Sequence, residues 1–197
     1  MAVTPNYSWP VPLDTAYVKD GAQAITALGD AIDATVFGLP AGGLTLISTT
    51  TFSAVSSVSF AADTFSSTYR HYKIIIDTTG TSVLLMRFRT AGSDNSTNNY
   101  DVSNLQINGN SLNGSRVLGT SFGLNPNAVT PITSEITIFN PKETVITRLV
   151  YQISENSDEI SVFGTANFKT TTSFDSATFF PNTGTFTGNV SVYGFQI

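Results

Sequence analysis

The spacing of hydrophobic and polar residues divides the chain into a short helical segment and a long β-region. Between residues 15 and 37, apolar or small side chains recur in steps of four and three, as on one face of a helix. From Leu44 onwards the period changes to two, and about ten strand-like segments follow at intervals of roughly 10–14 residues. This pattern predicts an all-β fold, an antiparallel, jelly-roll-like β-sandwich, preceded by an extended N-terminal arm and one short α-helix.

The arm is predicted from the prolines near the N-terminus. Proline fixes φ and biases the residue before it towards extended geometry, so residues 1–14 are expected to be stiff and extended. The arm also contains the only tryptophan of the chain, whose exposure is unfavourable unless another surface covers it. Two interpretations stay open: the arm folds back onto the β-domain, or it docks into a partner chain. The candidate attachment residues are Tyr7, Trp9, Pro10 and Pro12.

The helix is predicted over residues 15–37. Asp20 with Gln23 matches a capping box, and the glycines and proline of residues 38–43 predict a linker to a β-domain at 44–197. A helix of this length is marginal alone in water, so it needs support from its own β-domain or from other copies of the chain. We expect this helix to self-associate. The heptad-like seam is formed by Val18, Ala22, Ile25, Ile32 and Val36.

Composition and charge exclude several classes of function. Only 12% of the residues are charged, and Ser, Thr, Asn and Gly take their place. The net charge is -5 and the basic residues are scattered, so no nucleic-acid partner is expected. With no cysteine, disulfides and thiolate zinc sites are ruled out. The sequence predicts neither a signal peptide nor insertion into a membrane.

Catalytic patterns are weak in this sequence. The single histidine, His71, stands among aromatic residues at the start of a predicted strand, and no serine lies in a nucleophile elbow. The carboxylates occur mostly at predicted loops and strand ends, with nothing that pairs them. We therefore predict a non-enzymatic protein without a cofactor or a metal. A glycan-processing enzyme is the least favoured alternative.

Polar loops offer a possible binding surface. Asparagine side chains near a tyrosine can bind carbohydrate through hydrogen bonds and ring stacking, although solvated turns have the same composition. Two Asn-Gly pairs, at 108–109 and 113–114, indicate tight turns. The candidate loop residues are Asn95, Asn98, Asn99, Tyr100, Asn110 and Asn113.

The N-terminal segment from Trp9 to Asp33 reads WPVPLDTAYVKDGAQAITALGDAID. This segment resembles the leader of small structural proteins of tailed bacteriophages, in which a short arm and helix precede a β-rich domain. A looser resemblance in the β-region rests on the segments FSSTYRHYKI at 65–74, RFRTAG at 87–92 and VYGF at 192–195.

The resemblance implies a virion component that is synthesised in the host cytoplasm. The expected form is a trimeric tail or fibre protein, fixed to other virion proteins by its N-terminal arm. Its β-domain would face outwards and contribute to host adhesion, with a host surface glycan as a possible ligand. The alternative is a capsid cement or decoration protein whose arm staples capsid subunits together.

Overall fold

The computed structural model describes residues 2–11, 17, 20–38, 43–80, 82–124, 131–155 and 160–195. The chain divides into two compact units, residues 1–41 and residues 42–197. The boundary falls inside the predicted linker, so the helix and the β-region belong to different units.

The N-terminal unit begins with a small hairpin instead of the predicted extended arm. Strands β1 (Ala2–Val3) and β2 (Pro10–Val11) pair antiparallel. The turn is closed by Thr4, whose carbonyl oxygen accepts from the Ser8 N–H (3.1 Å) and whose hydroxyl accepts from the Trp9 N–H (3.0 Å). Over its described part, the prediction of an extended arm is therefore wrong, because Thr4 folds the segment back on itself.

The helix α1 spans Gly21–Gly38. Tyr17 lies outside it, and the N–H of Asp20 donates to the Tyr17 carbonyl oxygen at 2.9 Å in a turn before the helix. The predicted start at residue 15 is therefore wrong, whereas the predicted end at residue 37 is within one residue of the observed end. The capping-box pattern at Asp20 lies next to the first residue of the helix, Gly21, and marks its N-terminus better than the predicted start does.

The second unit contains a long antiparallel sheet of eight strands. In order across the sheet they run β3, β15, β5, β11, β12, β13, β8 and β9, so that β3 and β9 form the edges. The strands are β3 (Leu44–Val55), β5 (His71–Gly80), β8 (Tyr100–Asn108), β9 (Ser111–Gly119), β11 (Ile132–Phe139), β12 (Ile146–Glu155), β13 (Ile160–Thr171) and β15 (Phe186–Phe195).

A shorter sheet of five strands covers one face of the long sheet. Its order is β10–β6–β14–β4, with β7 paired to β6. The prediction of an all-β antiparallel sandwich with one short helix is confirmed, and the two sheets are unequal in size. The strands are β4 (Val58–Ser59), β6 (Leu84–Thr90), β7 (Ser93–Asp94), β10 (Phe122–Gly123) and β14 (Ser176–Pro181).

Aromatic side chains fill the space between the two sheets. Phe88 of β6 stacks on Phe174 with ring centroids 4.5 Å apart, and it also meets Phe168 of the long sheet. Tyr100 of β8 contacts Phe122 of the short sheet edge-to-face at 4.6 Å. All five side chains are fully buried. Contacts of this geometry add specificity to the hydrophobic energy of burial, so the cluster fixes how the sheets face each other.

Glycine is required at position 188, where β15 pairs with β5. A Cβ atom on Gly188 would point directly at the backbone carbonyl oxygen of Asp77 and would also crowd the Cα atom of Thr78. Backbone atoms inside a sheet cannot move aside as a flexible side chain does. The position therefore tolerates no larger residue without distortion of the ladder.

We predict that Gly188→Ala lowers the free energy of unfolding by about 3 kcal/mol, because the added methyl group overpacks the ladder. The matched control is Gly123→Ala, whose Cβ would meet only the Cδ2 atom of Leu85 at 3.9 Å. That change should stay within about 1 kcal/mol of the wild type. Urea denaturation of both variants measures the difference, and equal stabilities would contradict the predicted clash.

Candidate functional site

One face of α1 is used inside the N-terminal unit. The half-buried residues Ala24, Leu28, Ala31 and Thr35 follow a spacing of four, three and four. The indole N–H of Trp9 donates to the Thr35 hydroxyl at 2.9 Å. Within the described residues the hydrogen-bond partner of the tryptophan is the adjacent helix, and docking of the arm into a partner chain stays a prediction. The helix thereby anchors the hairpin.

A second stripe of the same helix faces away from the hairpin. Ile25 is 67% exposed and Val36 is 58% exposed; Ala22 is also exposed, while Ile32 is half-buried. At 3.6 residues per turn this stripe lies about a third of a turn from the first one. No described residue of α1 is fully buried. Three of the five predicted seam residues, Ala22, Ile25 and Val36, are therefore exposed in this unit.

The other predicted residues of the N-terminal unit have different outcomes. Tyr7 is 61% exposed and stacks on Trp9 with ring centroids 5.2 Å apart. Pro10 lies in strand β2 and is half-buried. Pro12 and Val18 fall outside the described residues. Of the candidate attachment residues, Tyr7 thus presents the most accessible side chain among those described.

Tyr100 is not a surface binding residue, which corrects the prediction for the loops. Its side chain is completely buried in the aromatic cluster. Its hydroxyl accepts a hydrogen bond from the Phe88 N–H (3.1 Å) and donates one to the Asn95 carbonyl oxygen (2.6 Å). Burial accordingly raises the pKa of Tyr100. The tyrosine ties the 95–99 loop to the core and offers no ring to a ligand.

The predicted asparagines do not form one site. Asn95 accepts hydrogen bonds from the backbone and side chain of Thr97, and Asn99 donates to the same side chain, so these two amides hold their own loop. Asn98 is exposed. Asn110 lies in the turn at the other end of β8, about 26 Å away for eight residues of strand. The loops at the two ends of β8 therefore do not converge.

The second Asn-Gly pair, at 113–114, does not form the predicted turn. Asn113 lies within strand β9, where it pairs with Gln106 of β8. The first pair does form the hairpin turn, and Gly109 has a positive φ of 52°. Once Asn108–Ser111 closes the hairpin, β9 must continue in register with β8. A turn at Asn113 would break that register.

A shallow groove of about 520 Å³ lies on the outer face of the long sheet, a feature that sequence reasoning missed. Among the described residues that line it, Glu135 is the charged one, and it is paired with Lys73 at 2.7 Å. Phe163 is 42% exposed there, between Gln152 and Leu105 in one cross-strand row. The groove combines an accessible aromatic ring with small polar side chains. Its lining residues include Ser103, Leu105, Glu135, Thr137, Val150, Gln152, Phe163 and Thr165.

Tyr151 and Gly164 lie beneath this groove, with the Tyr151 side chain on the buried face of the sheet. A Cβ atom on Gly164 would collide with the Tyr151 ring, which occupies the space that a side chain would take. Burial raises the pKa of Tyr151 to about 12. The Asn104 side chain opposes this shift in the pKa. The Tyr151 hydroxyl nevertheless has no hydrogen-bond partner among the described residues. The phenol therefore stays neutral at physiological pH.

A second groove, of about 320 Å³, continues along the same strands. Arg116 binds the Asp101 carboxylate with two hydrogen bonds of 2.9 and 2.6 Å, and the Lys169 ammonium lies 3.9 Å from it. The Arg116 side chain lowers the pKa of Asp101 below its usual range, so the carboxylate is charged at neutral pH. This groove is lined by Asp101, Ile146, Arg148, Asn167 and Lys169.

A faint signal for the grooves exists in the sequence. Val150 and Phe163 are apolar residues that stand next to buried apolar neighbours, so strict alternation fails at both positions. Two adjacent apolar residues in a strand indicate that one of them faces solvent. They do not show which other strands surround that residue. The row Gln152–Phe163–Leu105 depends on a β13–β8 pairing that is not sequential in the chain.

We predict that Tyr100→Phe lowers the free energy of unfolding by about 2 kcal/mol, because it leaves the Phe88 N–H and the Asn95 carbonyl without their partner. The control is Tyr193→Phe, which removes a hydroxyl from a half-buried side chain on the outer face. That change should stay within about 0.5 kcal/mol of the wild type. Thermal and urea unfolding measure both, and an equal effect would contradict the structural role of the Tyr100 hydroxyl.

The described residues contain no cluster of three or more His, Cys, Asp or Glu side chains suited to a metal ion. The one helix that is described is not long and apolar enough to cross a membrane. No protein-family model matches the chain, and no curated protein shows significant similarity to it.

Proposed function

We propose that the chain is a structural protein of a tailed-bacteriophage virion, a trimeric tail or fibre component. The N-terminal unit attaches it to the particle, and the β-sandwich faces outwards and contributes to host adhesion. The observation that carries the proposal is the uncovered apolar stripe of α1. An apolar face with this spacing is the feature that a self-assembling neck requires.

A second copy of the same chain is the favoured partner of this stripe. Its steps of three and four residues match the seam of a coiled coil, which is complementary to itself. Ala22 and Gly29 are small, so two helix backbones can approach closely. The helix has only 18 residues and no fully buried side chain, so its own hairpin supplies limited support. Association of three copies would bury Ile25 and Val36.

The outer face of the long sheet supports the adhesive part of the proposal. A shallow groove with an exposed phenylalanine and small hydroxyl and amide side chains suits a weakly bound, hydroxylated ligand such as a surface glycan. In a trimer three such sites act together, and linked sites gain effective concentration. Weak single-site binding is thus compatible with firm attachment of a particle.

The location in the virion is tested by imaging. Gold-labelled antibodies raised against residues 44–197 should decorate the tail or its fibres on intact particles in electron micrographs. Particles without label would overturn the proposal, and label confined to the head would replace the tail assignment with capsid decoration.

Deletion of residues 1–11 should leave the β-sandwich folded and abolish incorporation.

We predict that Ile25→Lys converts a trimer into a monomer, because it places a charge in the apolar seam. The control is Gln23→Lys, which adds the same side chain at an exposed position outside both stripes. Light scattering and sedimentation equilibrium should give three times the chain mass for the wild type and for the control. A wild-type protein that stays monomeric at high concentration would contradict the assigned role of the helix.

A further inference from the structure

Positive charge is concentrated at one place on the outer face of the long sheet. The whole chain has a net charge of -5 and only nine Lys and Arg residues. Arg116, Arg148 and Lys169 lie around or beside the Asp101 carboxylate in the second groove. One carboxylate offsets only one of these three cations. The groove therefore has a local charge opposite in sign to that of the protein.

Arg148 differs from the other cations of the sandwich. Among the described residues, each of the others has a hydrogen bond or an ion pair, such as Lys73 with Glu135 and Arg89 with Asp94. Arg148 has neither with any described residue. Its guanidinium is exposed, with all its N–H donors available to a ligand.

Lys169 lines this groove next to an irregularity in the pairing of β12 with β13. The pairing of β12 with β13 passes from Arg148↔Asn167 to Ile146↔Thr171, so β13 has two more residues than β12 over this interval. Lys169 lies within the extra segment, and its N–H donates to the Asn99 carbonyl oxygen at 2.9 Å. The ammonium group of Lys169 and the free guanidinium of Arg148 line the same groove.

The cationic groove is continuous with the neutral one along three adjacent strands. The row Arg148–Asn167–Asp101 is followed by Val150–Thr165–Ser103 and then by Gln152–Phe163–Leu105. All three rows face outwards. Four residues of strand separate the first row from the third, which is about 13 Å. The surface thus has a cationic end and an uncharged end with an accessible aromatic ring.

We propose that this surface binds an acidic saccharide, with Arg148 binding a sugar carboxylate and the neutral rows contacting the adjoining sugar rings. The proposal rests on the adhesive function proposed above and names its ligand class. A guanidinium matches a carboxylate with two parallel hydrogen bonds, and Asn167 lies next to it to bind a hydroxyl group. The excess of negative charge elsewhere on the chain disfavours a long polyanion such as nucleic acid.

Methyl esters provide matched probes, because esterification removes the charge of a carboxylate and leaves the sugar rings unchanged. The full-length protein is titrated with trigalacturonate, with 3′-sialyllactose and with the methyl ester of each. At least one acid should bind about tenfold more tightly than its ester. Arg148→Gln should remove this preference and leave the affinity for the ester unchanged. The control Arg87→Gln removes the same charge from the opposite sheet and should preserve the preference.

The outcomes separate this inference from the function on which it rests. Equal binding of acids and esters, unaffected by Arg148→Gln, would overturn the carboxylate site and keep the groove as a glycan-binding surface. Binding of neither form would overturn both the acidic ligand and the adhesive role, while antibody labelling of particles still tests the structural role. Displacement of the acids by inorganic phosphate as effectively as by free galacturonate would show a simple anion site and overturn saccharide recognition.

Discussion

The aromatic cluster around Phe88 is the constraint on which the rest of the β-sandwich depends. The chain has no cysteine, so no disulfide bond can hold the two sheets together. The sheets are joined instead by burial of large rings such as Phe88, Phe168 and Phe174. Because these side chains occupy the inner faces, any binding chemistry has to use the outer faces, the edges or the loops.

The same core also limits what the loops can do. The Tyr100 hydroxyl reaches from the core to the Asn95 carbonyl, and the amides of that loop bind Thr97. Asn95, Asn99 and Tyr100 are therefore committed to the fold and are not available to a ligand. The outer face of the long sheet is different, because its side chains stand on hydrogen-bonded strands and point to solvent. A site on such a rigid surface loses little conformational entropy when it binds a ligand.

Local patterns predicted the elements of this protein better than the assembly of those elements. Alternation along β12 places Leu149 and Tyr151 inside, as a period of two requires. In contrast, the Asn-Gly pair at Asn113 does not form a turn, because β9 stays in register with β8. The polar residues around Tyr100 suggested a surface loop, although its ring is buried. The first error arises from competing local signals, since β8 and β9 form one hairpin. The second arises because Tyr100 packs against residues such as Phe168, which lie far away in sequence. The grooves could not be predicted for the same reason.

The proposed function also explains why a weak site would suffice. A shallow groove leaves much of a ligand in water, so the affinity of one copy is expected to be modest. Arg148 adds discrimination between charged and neutral sugars more than it adds strength, because an exposed ion pair is screened by salt. Three linked copies multiply the binding of one. The Ile25 stripe in the N-terminal unit would then set the avidity, and the Arg148 groove in the β-sandwich would set the specificity, so substitutions in one should change one property and leave the other intact.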